Sequence, residues 1–98
     1  MDRRYKPLTP VEQLRAREQL TSTIRAHPEW TFAQAVRHIR RSLRLTIADM
    51  AKVGKLSDQA VRNIEAGRNS PTLATATALL KPFGFRLSVT TQHEDQGG

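Results

Sequence analysis

Apolar positions recur at helical spacing in five stretches of this chain and then, once, at every second residue. Thr9-Pro10-Val11-Glu12 reads as a helix start. The threonine can cap, proline suits the first helical position, and Glu12 completes a capping box. The stretch to Ala26 carries a thin apolar stripe of Val11, Leu14, Leu20 and Ile24, and His27-Pro28 ends it. A second capping box, Thr31 to Gln34, precedes Phe32, Ala35, Val36, Ile39 and Leu43 at helical spacing, with Arg37, Arg40, Arg41 and Arg44 on the other faces. Thr46 to Asp49 opens a short third helix with Ile47, Met50 and Ala51 inward. Gly54-Lys55-Leu56 reads as a tight turn. Ser57 caps a fourth helix with Ala60, Val61 and Ile64 inward, ending at Gly67. Ser70-Pro71 opens a fifth with Leu73, Ala76, Leu79 and Leu80 inward, and Pro82 stops it.

The pattern then changes period. Phe83, Phe85, Leu87 and Val89 alternate with Gly84, Arg86, Ser88 and Thr90, which predicts a half-buried strand. A lone strand leaves backbone groups unpaired and an apolar face open. Antiparallel pairing with the same strand of a second molecule, across a twofold axis, solves both problems. The other arrangements are packing on the chain's own helices or pairing with its N-terminal residues. The expected organisation is therefore a basic tail and extra helix over 1–30, a helical domain over 31–84, a dimerisation strand over 85–91 carrying Phe85, Leu87 and Val89, and a disordered polar tail over 92–98.

Composition narrows the chemistry. In 98 residues, 38% hydrophobic and 5% aromatic, only one small aliphatic core can be built. There is no cysteine, which excludes disulfides, a thiol nucleophile and thiolate metal sites. His27, His38 and His93 lack ligand spacing, so neither a metal nor a cofactor is expected. No Ser-His-Asp set, phosphate-cradling glycine loop or carboxylate pair stands out, which argues against an enzyme. Trp30, next to a helix cap, reads as a core-edge residue. No apolar run approaches the ~18 residues of a membrane span, and the first residues lack a signal-like apolar segment, so a cytoplasmic location is expected.

Charge changes the picture more. The net charge is +7. Residues 1–30 hold six positive and four negative side chains, residues 31–91 ten and three, and the last seven only two acids. The excess sits in the segment that looks folded, as expected of a surface for a polyanion. Within it, residues 45–68 read LTIADMAKVGKLSDQAVRNIEAGR. Two short helices joined by a tight turn, the second opened by a capping serine and polar on its outer face, match a helix-turn-helix. Asp58, Gln59, Arg62 and Asn63 face outward, and Gln, Asn and Arg can read base edges with paired hydrogen bonds.

Residues 31–84 resemble the Cro/repressor-type (XRE) helix-turn-helix domain of phage repressors and bacterial antitoxins. The resemblance rests on Leu45-Thr46, Ala51, Leu56-Ser57, Val61 through Gly67, and Pro71-Thr72-Leu73 taken together. It implies an all-α, five-helix domain whose second motif helix enters the major groove. It implies base reading by Asp58, Gln59, Arg62 and Asn63, and phosphate contacts by Ser57, Arg68 and Asn69. Lys55 and Arg44 are further phosphate candidates, and they, like Arg41, are either near the DNA backbone or solvated charge. Arg40 matches a structural arginine that pairs with the glutamate at Glu65. Three positions depart from the family. Ile47 stands where a phosphate-binding Gln is common. The usual turn glycine falls at Lys55, with Gly54 one place earlier, so a rearranged turn is expected. Asp58 puts an acid on a surface meant for DNA, where it either accepts from a cytosine amino group or, the preferred reading, favours the helix N-terminus through its charge.

The ending TLATATALLKPFGFRLSVTT is similar to that of HipB-like and HigA-like antitoxins, in the first of which such a strand pairs with its twin. The resemblance implies a homodimeric bacterial cytosolic or nucleoid protein on an inverted-repeat operator, its half-sites about 34 Å apart. It would be an antitoxin that represses its own operon and neutralises a toxin, a HipA-like kinase ahead of a HigB-like ribonuclease. The rival readings are a free-standing or prophage repressor without a toxin, and an adaptor that has kept the fold but lost DNA binding.

Overall fold

The computed structural model describes residues 6–89. Among them lie five helices, α1 (Pro10–Ala26), α2 (Phe32–Ser42), α3 (Ile47–Gly54), α4 (Asp58–Glu65) and α5 (Leu73–Leu80), followed by a 3-10 turn at Lys81–Phe83. Each of the five begins at a hydroxyl residue, Thr9, Thr31, Thr46, Ser57 or Thr72, whose side chain accepts the amide proton of the residue three places on. At Thr9, Thr31 and Thr46 a Glu12, Gln34 or Asp49 side chain accepts the cap's own amide in return. Accepting that bond from Thr9 holds the Glu12 carboxyl below its ordinary pKa, with a smaller contribution from the Arg44 charge.

Four turns close with the same pair of hydrogen bonds. After α2, the Arg44 amide donates to the Arg41 carbonyl (3.1 Å) and Leu45 to Arg40 (2.9 Å). After α3, Lys55 donates to Lys52 (3.3 Å) and Leu56 to Ala51 (2.8 Å). After α4, Gly67 donates to Ile64 (3.0 Å) and Arg68 to Asn63 (2.9 Å), and Gly84 and Phe85 repeat the pattern on Lys81 and Leu80. The first donor of each pair is left-handed: Gly67 and Gly84 at φ 74° and 84°, but Arg44 and Lys55 at 53° and 56°.

The turn between α3 and α4 therefore keeps its geometry, contrary to the expected rearrangement, because Lys55 itself adopts the left-handed conformation. Gly54 serves a different need. It is buried in the last turn of α3, where an added Cβ would sit 2.7 Å from Leu79 Cδ2 and 3.2 Å from Leu79 Cγ. The absent side chain is what lets α3 lie against α5.

The core collects Leu20 from α1, Val36 and Ile39 from α2, Leu43, Met50 and Ala51, Val61 and Ile64 from α4, and Leu79 and Leu80 from α5. The extra helix α1 thus shares this core rather than standing apart from it. Arg17 on α1 also donates to the Pro82 carbonyl (3.3 Å) and lies 5.8 Å from the Phe83 ring centre, pinning α1 to the 3-10 turn. In the α1–α2 link, His27 stacks flat on Trp30 at 4.3 Å, Trp30 meets His38 at 4.8 Å, and His27 Nδ1 lies 2.8 Å from Glu29 Oε2.

Three expectations need revision. The fifth helix starts at Leu73, not at Ser70-Pro71, because Thr72 makes the cap. Leu73, expected inward, occupies the first helical position and is 77% exposed. Phe85, Leu87 and Val89 form no strand, since residues 85–89 have no regular secondary structure. A ladder needs a neighbouring strand, and the described residues of one chain offer none. Phe85 instead packs on the core, while Leu87 and Val89 are 38% and 98% exposed. The tail 92–98, His93 and the end of the expected strand lie outside the described residues.

Two substitutions separate the roles of the adjacent turn residues. Gly54→Ala is expected to lower stability by about 1–2 kcal/mol, because the methyl has no room against a fully buried leucine. Lys55→Gly is expected to raise it by about 0.5–1 kcal/mol by relieving the left-handed lysine. Urea unfolding midpoints measure both, and the opposite signs are the diagnostic outcome.

Candidate nucleic-acid interface

The polar face of α4 is aimed by two kinds of contact. Val61 and Ile64 are buried, which fixes the rotation of the helix and leaves Asp58, Gln59 and Arg62 exposed and Asn63 half-buried. Arg40 fixes its position along α2. Its Nε donates to Glu65 Oε2 at 2.8 Å and its Nη2 to Glu65 Oε1 at 3.0 Å, while Nη1 reaches the Leu45 carbonyl at 3.2 Å. The two side chains are only 12% and 8% exposed. A forked, largely buried pair of this kind holds both angle and distance.

The exposed face is itself bonded together. Gln59 Nε2 donates to Asn63 Oδ1 (3.1 Å), and Arg68 Nη1 donates to the same oxygen (2.9 Å). The Gly67 turn folds Arg68 back over the helix it follows. Arg68, read from sequence as a phosphate contact, therefore stands beside two residues read as base contacts. Ser57 Oγ accepts from the Ala60 amide (3.1 Å), which leaves its own proton free to donate. Asp58 occupies the first turn, where its charge suits the helix dipole.

Sequence reasoning passed over Arg37. On one side it shares a cleft of about 210 Å³ with Arg40, Ile47, Arg62, Glu65 and Ala66. On the other it joins Trp30, Gln34, His38 and Arg41 around a cleft of about 380 Å³. Arg37 and Arg62 have no hydrogen-bond or ion-pair partner among the described residues, and the glutamate they flank is already held by Arg40. Charge bookkeeping could have found Arg37, because the three acids of residues 31–91 are Asp49, Asp58 and Glu65. Two of them sit at helix starts and one in the ion pair with Arg40, and none is bonded to a surface arginine among the described residues.

The other predicted phosphate contacts are spread out. Lys55 is exposed at the turn before α4, and Asn69 is exposed after it. Arg44 lies at the end of α2, where its charge acts on Glu12 in the first turn of α1. The arrangement can do two things. It offers an exposed row of amide and guanidinium groups on a rigidly held helix, and cations on the elements to either side of that row. This matches a base-reading surface flanked by phosphate contacts.

Comparison with known proteins finds one family. A family model described as Helix-turn-helix matches residues 36–89, from the middle of α2 through the segment after the 3-10 turn. No curated protein and no solved structure matches the chain.

The Arg40–Glu65 pair is testable by itself. Arg40→Met is expected to cost about 3 kcal/mol, because it strands a buried carboxylate. Adding Glu65→Gln to Arg40→Met is expected to recover part of that loss. A double-mutant cycle by chemical denaturation measures the coupling, and strictly additive losses would show that the pair does not hold α4.

Proposed function

The chain belongs to the helix-turn-helix family in its Cro/XRE form, a family of DNA-binding transcription regulators, usually non-enzymatic, and we propose that it is a dimeric, sequence-specific repressor acting as an antitoxin. The observation that carries the DNA part is α4 itself: apolar residues locked inward, a bonded polar row outward, and unpaired arginines at its flank. In this reading Gln59, Arg62 and Asn63 contact base edges, with Asp58 at the helix start. Ser57, Lys55, Arg44 and Asn69 lie toward the backbone, while Arg68 stands beside Asn63 on the reading face. Arg37, which shares a cleft with Ile47 and Arg62, replaces the phosphate contact that a Gln at Ile47 would have made.

Support for a protein partner comes from apolar surface that one chain leaves open. Val11 and Leu14 on α1 are 61% and 66% exposed, and Leu87 and Val89 follow a phenylalanine that is packed on the core. In the proposed homodimer the segments around Leu87 pair across a twofold axis, and each supplies the edge the other lacks. The dimer then presents two α4 helices to an inverted-repeat operator. The toxin, a HipA-like kinase before a HigB-like ribonuclease, rests on the likeness of the C-terminal sequence to those antitoxins. Co-purification from the native locus with both neighbouring genes tests it. A stoichiometric neighbour-encoded partner supports the antitoxin, and a clean homodimer leaves an autonomous repressor.

Binding to a duplex carrying the chain's own upstream DNA is expected to weaken with salt, and Arg37→Gln is expected to reduce the log–log salt slope by about one while leaving base preference alone. Gel-shift titrations at several salt concentrations read both quantities. For the dimer, Leu87→Asp is expected to give monomers in sedimentation equilibrium. Dimers of unchanged stability would remove that segment from the interface.

A further inference from the structure

We infer that the Gln59–Asn63–Arg68 network selects guanine rather than adenine at the base pair facing Asn63, because it removes the amide's only acceptor from the reading surface. The inference rests on the DNA-binding reading and specifies the base chemistry of the same surface.

An asparagine side chain reads adenine by using both its ends. Its NH₂ donates to N7 while its oxygen accepts from the N6 amino group. Here the oxygen is committed. Asn63 Oδ1 accepts from Arg68 Nη1 at 2.9 Å and from Gln59 Nε2 at 3.1 Å, which fills both lone pairs. The orientation of the amide is forced. A guanidinium has no acceptor and stays protonated, so only the oxygen of Asn63 can face it. With that oxygen placed, Gln59 must turn its NH₂ toward it. Each amide in the network is therefore set by Arg68, and Arg68 is held there by the left-handed Gly67 turn, with its amide on the Asn63 carbonyl at 2.9 Å.

What remains for DNA is mostly donors. Asn63 keeps both Nδ2 protons, and Arg68 keeps the guanidinium N–H groups that Asn63 does not take. Gln59 keeps one proton and its Oε1. In the major groove guanine presents two adjacent acceptors, N7 and O6, whereas adenine presents one acceptor beside a donor. A donor array meets the first and clashes with the second, where two N–H groups would face each other across a desolvated contact. Among the described residues no acid is bonded to these donors: Glu65 is held by Arg40, and Asp58 sits at the helix start.

The test is selection of binding sites from a randomised duplex library by the full-length wild type, Asn63→Ala, Arg68→Met and Arg68→Lys. The position facing Asn63 is the one whose preference disappears in Asn63→Ala. The wild type is expected to select guanine there, with G→A weakening binding about tenfold. Arg68→Met frees the Asn63 oxygen and is expected to bring adenine level with guanine or above it. Arg68→Lys keeps a donor to that oxygen and is expected to retain guanine. Selection of adenine by the wild type would overturn the inference. So would an Arg68→Met variant that weakens every site alike and lowers the salt slope by about one, the behaviour of a plain phosphate contact. Absence of any enrichment by the wild type would overturn the DNA-binding reading and this inference with it.

Discussion

Arg40 spans α2 and α4 and touches the link into α3, with hydrogen bonds from Nε and Nη2 to Glu65 and from Nη1 to the Leu45 carbonyl. The small core leaves it a large share of the orienting work. Aliphatic contacts at Val61 and Ile64 resist rotation of α4 but allow sliding, since one leucine or valine contact is much like the next. A forked ion pair with little solvent around it has one good geometry and a steep cost for leaving it. The polar face of α4 is consequently presented at a fixed height and angle. The left-handed Arg44 turn, the Leu45 carbonyl and the start of α3 follow from the same anchor.

The turn between α3 and α4 shows how close packing and backbone strain were divided between neighbours. The glycine of the pair sits where helix meets helix, and a lysine takes the left-handed position that a glycine would occupy at less cost. Close approach to Leu79 could not be met by another residue without displacing that side chain. The left-handed conformation could, at the cost of some strain, and a lysine there places a cation beside the start of α4. Arg44 makes the same exchange at the end of α2.

The N-terminal helix extends this core. Leu20 is buried among residues of α2 to α5, and Arg17 holds the 3-10 turn through its carbonyl and its phenylalanine. The result joins the two ends of the described chain. Beyond that junction, Val11 and Leu14 on one side and Leu87 and Val89 on the other remain uncovered. With Leu73 at the start of α5, the large apolar residues left exposed among the described residues all lie outside α3 and α4.

The sequence by itself determined where four of the five described helices begin, at Thr9, Thr31, Thr46 and Ser57, because a cap is a local event between a hydroxyl and its own third amide; at the fifth it offered Ser70-Pro71 and the cap falls on Thr72. It determined the inward face of α4, the end at Gly67 and the outward polar set, because periodicity reports which side is dry. It also pointed to Arg40 and Glu65, though only through a family likeness, since 25 residues separate them. Tertiary structure decided what depends on neighbours distant in sequence. Pattern alone could not assign Gly54 to packing and Lys55 to the turn, because the reason is Leu79. It could not reveal Arg37, whose meaning comes from the cleft with Ile47 and Arg62. Nor could it say that Asn63 has lost its acceptor, because Arg68 reaches that oxygen only once Gly67 has turned the chain back. The strand expected at Phe85 to Val89 marks the same boundary: alternation states that one face can be buried, and only a neighbouring strand decides whether a ladder forms.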